Sequence, residues 1–149
     1  GTPLRPADPY ARALVRALMK EIELYIELPA RSCFAEAFFG GRVPDPIKAK
    51  AREDLCAGFA TLKRHAKFAP YVAGDSLSLA DIVFLYSVDI AAAVGKQVFG
   101  LDLLADLPGA QALLARLNER PHARTIAAQR DAGMPAFIAA MRARLQGAG

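Results

Sequence analysis

Apolar residues return every three or four positions along most of this chain, which is the period of helices with one buried face. The first segment shows the pattern clearly, with an apolar stripe made of Leu14, Leu18, Ile22 and Ile26. Alternation with a period of two, which would indicate strands, does not stand out, and alanine is abundant throughout. The pattern therefore predicts an all-α protein.

Proline and glycine divide the pattern into a bundle of about six helices. Asp8 before Pro9, and Asp45 before Pro46, each place a capping residue ahead of a proline, an arrangement favoured at helix starts. The first helix is long and should be kinked at Pro29, because proline lacks the N–H group that a regular helix uses. Further helices are expected from Leu79, Pro108, Pro121 and Pro135, with glycines ending helices near Gly40, Gly95 and Gly133.

The third predicted helix, from Leu79 to about Val94, is apolar on nearly every side. Helices of this kind are buried, so we expect it at the centre of the bundle. It contains Asp81 and Asp89, and its predicted length is less than the about 20 residues that a helix needs to cross a bilayer. We therefore expect a core helix and no membrane partner.

Ser78 and Asp81 stand at the start of this helix at a spacing that allows two interpretations. With Ser78 as N-cap, its hydroxyl and the Asp81 carboxylate can each accept from the other residue's backbone N–H, which is a capping box. Leu77 and Ile82 then occupy the two positions of a hydrophobic staple. The alternative is a catalytic serine, which needs a histidine base nearby. Neither of the two histidines lies in a recognisable motif, so we favour the structural interpretation.

Composition limits the remaining possibilities. A chain of 149 residues that is 54% hydrophobic suits one domain with a substantial core. The net charge of +4 is spread among interleaved signs and forms no basic stripe, so we expect no nucleic-acid partner. Cys33 and Cys56 are far apart and lack the short spacings of disulfide frameworks or metal sites, so no metal is expected.

The first residues are rich in proline and lack the apolar core of a signal peptide. We expect residues 1–7 to be the remnant of an interdomain linker and residues 8–149 to form one helical domain. A cytoplasmic location fits two free cysteines.

Three short stretches resemble the C-terminal domain of glutathione S-transferases of the bacterial type. Residues 71–82 are similar to the entry into that domain's buried helix, with Gly74, Ser78 and Asp81 matching its Gly-x-x-x-Ser-x-x-Asp pattern. Residues 4–13 resemble the linker and first helix of the domain, and residues 117–124 resemble the junction between two later helices. Their order and spacing cover nearly the whole chain.

The resemblance implies a missing half. In that family an N-terminal thioredoxin-like domain binds glutathione as co-substrate and supplies the residue that activates its thiol. The C-terminal domain usually supplies one wall of the cleft for a hydrophobic small molecule and part of a homodimer interface. The parent protein would then be a detoxifying transferase, whereas this chain alone would be inactive and would contain no catalytic residue.

The resemblance also suggests which residues line the substrate wall. Arg31, Phe34 and Phe38 follow the kink and are the first candidates, and Tyr10 is a further one. The competing interpretation places both phenylalanines in the core and leaves Arg31 as a solvated charge. Tyr86 carries a hydroxyl and could also line the cleft, but its place in the most apolar helix favours a core tyrosine with its hydroxyl satisfied.

The sequence also suggests the environment of three charged or reactive side chains. Asp89 should be hydrogen-bonded or face the cleft, His65 should be solvated, and Cys33 should be buried and unreactive. An alternative function is a non-catalytic protein-interaction module that uses the same fold.

Overall fold

The computed structural model describes residues 3–147, and the described part is helical wherever the apolar period occurs. The α-helices, with one π-helical segment, are α1 (Pro9–Ile22), the π segment (Glu23–Glu27), α2 (Leu28–Arg31), α3 (Phe34–Phe39), α4 (Asp45–His65), α5 (Leu79–Phe99), α6 (Pro108–Asn118) and α7 (Pro121–Gly147). No strand forms among the described residues, which contain one isolated bridge between Tyr71 and Gly74. Because α1, the π segment and α2 follow one another without a break, they count as one long helix, and with α3 to α7 the described residues form six helical units. The all-α prediction is confirmed.

The first helix is long and irregular, as predicted. Asp8 caps it by accepting a 2.7 Å hydrogen bond from the Ala11 N–H. The irregularity is a π turn directly before Pro29, in which the Leu28 N–H reaches back to the Glu23 carbonyl. The chain leaves the helix after Arg31 and starts α3 at Phe34, and Gly40 then ends α3 with φ +72°.

The start of α4 differs from the prediction by one residue. Pro44 is the N-cap and Asp45 is already helical, so the expected Asp45 cap is wrong; its carboxylate lies 3.3 Å from the Lys48 ammonium instead. Further along α4, Gly58 packs directly on the π segment. A Cβ atom at Gly58 would lie 2.2 Å from the Tyr25 carbonyl oxygen, so only glycine permits this approach.

Helix α5, the third predicted helix, lies at the centre of the bundle. It contacts α1, the π segment, α4 and α6. Its fully buried apolar residues are Ala80, Phe84, Val88, Ala91 and Val94. The predicted end at Gly95 is wrong, because α5 continues to Phe99 and is capped by Gly100 in the left-handed conformation. Gly95 instead makes room for Leu103, whose Cδ1 would lie 2.5 Å from a Cβ atom there.

The length of α5 also corrects the argument against a membrane span. With 21 residues and a mean hydropathy of 1.5, α5 is long and apolar enough to cross a bilayer. In this fold its apolar side chains pack against α1, α4 and α6, as those of a core helix do.

Helix α7 is one helix where two were predicted. It runs through both Gly133 and Pro135, so the expected break at Gly133 is wrong. Ala123 is the one buried residue among those described in α7. The rest of α7 therefore lies away from the core, and its main contacts are with α3 and α6.

Candidate functional site

A cavity of about 930 Å³ lies between α3, α5 and α7. Its walls are mostly apolar, with phenylalanines from α3, small and branched side chains from α5, and methionines from α7. The cavity has the size and apolar lining typical of small-molecule sites. Helix α7 contacts α3 through Phe137 and Phe39, and the cavity is the space between α7, α3 and one face of α5.

The wall formed by α3 and the end of α2 contains three of the residues predicted from sequence. Arg31, Phe34 and Phe38 all line the cavity, and both phenylalanines are half-buried. The Phe34 and Phe38 rings meet edge to face with centroids 5.3 Å apart. Phe39 makes a similar contact with Phe137 of α7 at 5.7 Å, which joins the two walls. The two phenylalanines are thus neither solvated nor fully in the core.

Arg31 is held at the rim of the cavity by a carboxylate. Its Nε and Nη2 donate to Glu27 Oε1 at 2.8 and 2.6 Å, and its guanidinium lies 5.8 Å from the Phe34 ring centre. Glu27 also accepts a 2.5 Å hydrogen bond from the Ser87 hydroxyl. That hydroxyl, together with Arg31, lowers the pKa of Glu27 below its ordinary value despite the partial burial that opposes it. The positive charge of Arg31 is therefore largely balanced within the protein.

The α5 wall presents two polar residues for which a cleft position was one of two expectations from the sequence. Tyr86 is 40% exposed and lines the cavity, so its predicted core position is wrong. Asp89 lines it as well and is exposed, which decides between the two environments considered for it. Leu85, Ile90 and Ala93 surround them on the same wall. Two polar interruptions three residues apart in an apolar helix were the available signal, because that spacing places them on one face.

The α7 wall was missed by the sequence analysis. Its large apolar residues that line the cavity are Met134, Phe137, Ile138, Met141 and Leu145. They recur at three- and four-residue intervals across Pro135, so the uninterrupted stripe was the signal for one continuous helix. The predicted break separated residues that belong to one face.

Ser78 and Asp81 form a buried hydrogen-bonded pair at the start of α5. The Asp81 carboxylate accepts from the Ser78 N–H at 2.8 Å, from the Ser78 hydroxyl at 3.0 Å and from the Val72 N–H at 2.8 Å. The Ser78 oxygen in turn accepts from the Ala80 N–H at 3.2 Å. Leu77 packs against the core from one side of this pair, and Ile82 is 39% exposed on the other.

Comparison with known proteins identifies the fold. A family model described as "Glutathione S-transferase, C-terminal domain" matches residues 45–116. A curated protein named glutathione S-transferase from Pseudomonas putida strain F1 is 60% identical over 142 residues, which are 95% of this chain and 64% of that protein. The chain is thus similar to the C-terminal domain of the glutathione S-transferase family. It spans a little under two thirds of that relative.

Solved structures show the same similarity. Gtt2 from Saccharomyces cerevisiae is 25% identical with a TM-score of 0.62, and the alignment covers 84% of this chain and 61% of that one. A glutathione S-transferase from Sinorhizobium meliloti 1021 is 26% identical with a TM-score of 0.64, over 84% and 56% of the two chains. The described residues thus correspond to the helical C-terminal domain of such transferases.

Tyr10 is the predicted substrate residue that lies apart from the other three. It is 73% exposed and lines a separate groove, together with residues 3–7 and the loop before α5. A side chain at that position lies outside the cavity that Arg31, Phe34 and Phe38 share.

His65, Cys33 and Cys56 are not among the residues that line the cavity. His65 is not simply solvated as expected, because its Nδ1 lies 2.7 Å from a Glu21 carboxylate oxygen. Cys33 is buried, whereas Cys56 is exposed. Between residues 3 and 147, no three His, Cys, Asp or Glu side chains are grouped as a metal ion would require.

Proposed function

We propose that this chain is the C-terminal domain of a transferase that joins glutathione to hydrophobic electrophiles, and that it forms the wall of the acceptor-substrate cleft. The observation that carries this proposal is the apolar cavity of about 930 Å³ between α3, α5 and α7. Phe34 and Phe38 on one side and the α7 stripe on the other would enclose an aromatic or aliphatic body. Burial of that apolar surface is the main source of affinity.

The chain would position the acceptor and exclude water, and the chemistry would take place at the edge of the cavity. Glutathione would bind as co-substrate to a thioredoxin-like domain outside this chain, and that domain would hold the thiolate. The thiolate sulfur would form a bond to the electrophilic carbon, and the leaving group would depart with the bonding electrons. We assign no catalytic residue to this chain. A role in cytoplasmic detoxification is part of the same proposal.

A second copy of the chain is the proposed macromolecular partner. Three large apolar side chains, Leu24, Tyr25 and Leu28, are about half exposed or more on the π segment and the start of α2. Exposed apolar groups close together are typical of protein–protein interfaces. They support, as a proposal, a part of the dimer interface on this outer surface.

The binding role can be tested on the chain itself with N-phenyl-1-naphthylamine, an uncharged fluorescent probe. Replacing Phe38→Ala should raise the probe's Kd about tenfold, because the cavity loses part of an aromatic surface worth about 1.5–3 kcal/mol when fully buried. The matched control is Tyr10→Ala, which removes an aromatic ring outside the cavity and should leave the Kd unchanged. Thermal unfolding followed by circular dichroism would show that both variants are folded.

The results separate the proposal from its alternative. Equal Kd values for Phe38→Ala and the parent chain would contradict the acceptor-wall role. Absence of probe binding would favour the protein-interaction module. The chain should also give no conjugation of glutathione with 1-chloro-2,4-dinitrobenzene above the uncatalysed rate, and measurable turnover would overturn the division of labour.

A further inference from the structure

The charged residues around the cavity are paired with one another, with one exception. Arg31 is held by Glu27, as described above, and Arg130 of α7 lies 2.9 Å from the Asp131 carboxylate. Asp89 makes no hydrogen bond or ion pair with any residue between Pro3 and Gly147. Once the pairs are set aside, the cavity therefore carries one uncompensated negative charge.

The surroundings of Asp89 make this charge selective. Tyr86 lies one helical turn before it on the same face, and Leu85 and Ile90 flank the two residues. A neutral ligand that fills the cavity would displace part of the water around the exposed carboxylate without supplying a partner in its place, which is unfavourable. A ligand with a positive charge would instead pair with the carboxylate, and its cation could also lie against the aromatic rings of Tyr86 or Phe34.

We propose that Asp89 is a specificity-determining residue that selects acceptor molecules with an apolar body and a cationic or hydrogen-bond-donating group, such as a protonated amine. The inference rests on the proposed function, because it assigns a ligand class to the same cavity. It predicts a preference among ligands of equal bulk, whereas the apolar walls alone would bind such ligands according to their apolar surface.

Three naphthalene compounds of similar size test the preference by isothermal titration calorimetry. They are 1-naphthylmethylammonium, 1-naphthalenemethanol and 1-naphthoate, which are cationic, neutral and anionic at pH 7. The parent chain should bind the cation about tenfold more tightly than the alcohol and should bind the anion most weakly. Asp89→Asn should reduce the difference between cation and alcohol to about twofold and leave the Kd of the alcohol nearly unchanged.

Two further variants control for charge and for folding. Asp106→Asn removes an exposed carboxylate from the loop before α6, outside the cavity, and should keep the tenfold preference. Asp89→Glu retains the charge and should retain most of the preference. A charge effect without a specific site would lower the preference equally in Asp106→Asn and Asp89→Asn, and that result would overturn the inference.

Failure of the inference and failure of the proposed function give different results. If the alcohol binds and is weakened by Phe38→Ala while the cation shows no preference, the cavity role stands and the role of Asp89 is wrong. If none of the three compounds binds to the folded parent chain, the cavity role itself is wrong.

Discussion

Replacing Asp81→Ala should be among the most destabilising single changes in this chain. Asp81 is fully buried and its carboxylate accepts from the backbone N–H groups of Val72 and Ser78. The first bond ties the loop before α5 to the helix, and the second satisfies a donor at the helix start. Alanine would leave both N–H groups buried without an acceptor.

The magnitude follows from those two groups. A buried donor without a partner costs about 1–3 kcal/mol, so two of them give a loss of about 4 kcal/mol in the free energy of unfolding. The matched control is Asp8→Ala, which removes the same carboxylate from the exposed N-cap of α1. Water can replace that acceptor, and the expected loss is about 1 kcal/mol or less.

Urea denaturation followed by circular dichroism at 222 nm measures both losses. A domain of this size has about 5–15 kcal/mol of stability in total, so a loss of about 4 is measurable. If Asp81→Ala does not fold, Asp81→Asn keeps one acceptor oxygen and should show an intermediate loss. Equal losses for the Asp81 and Asp8 variants would refute the reasoning, because Asp81 satisfies two buried N–H groups and Asp8 satisfies one exposed N–H group.

Two further predictions concern packing and pH. Gly58→Ala should destabilise the fold by about 3 kcal/mol, because the new Cβ atom would collide with the Tyr25 carbonyl. The Cβ atom of Gly133→Ala meets nothing within 4 Å, so this variant should raise the free energy of unfolding by about 0.5–1 kcal/mol. Thermal melts that rank the two variants the other way would contradict the close approach of α4 to the π segment. Ser87→Ala removes the main cause of the lowered Glu27 pKa and should cost about 1.5 kcal/mol at pH 7. A carboxyl group whose pKa is lowered in the folded state stabilises the fold at pH values above its ordinary pKa of 4.5, and this stabilisation disappears as pH falls through the folded-state pKa. The difference in free energy of unfolding between variant and parent, measured in urea, should therefore shrink below about pH 4.5. A difference that does not depend on pH would refute the assignment.

The start of α5 could be predicted because its determinants are local. Ser78 and Asp81 are three residues apart, and the hydrogen bonds of a helix start lie within that distance. The ends of the helices were less predictable. Gly95 resembles a helix-terminating glycine in sequence, but its actual role is to accommodate Leu103, and that contact is tertiary. Pro135 likewise resembles a helix start, because a proline inside a helix removes a donor and its ring clashes with the preceding turn, yet α7 continues through it.

Only part of the cavity lining could be predicted, because the rest depends on tertiary contacts. Phe34 and Phe38 were identified because they follow the kink at Pro29, in the region that the family resemblance places at the cleft. Tyr86 was assigned to the core because α5 is apolar on nearly every side, and the pattern does not show which side lacks a packing partner. That side is left open by α7, whose course beyond Ala123 depends on its contact with α3. Tyr10 was considered because it carries a hydroxyl group, and a residue type alone does not show which groove its side chain lines.

The most direct test of the acceptor-wall role is a kinetic measurement on a chimera. In the Pseudomonas putida relative, this chain would replace the segment that it matches, and Phe38→Ala would be introduced into that chimera. The proposal predicts a KM for 1-chloro-2,4-dinitrobenzene that is about tenfold higher in the variant, with the KM for glutathione unchanged. An equal rise in both constants, or no change in either, would contradict the claim that this chain forms the acceptor side of the cleft.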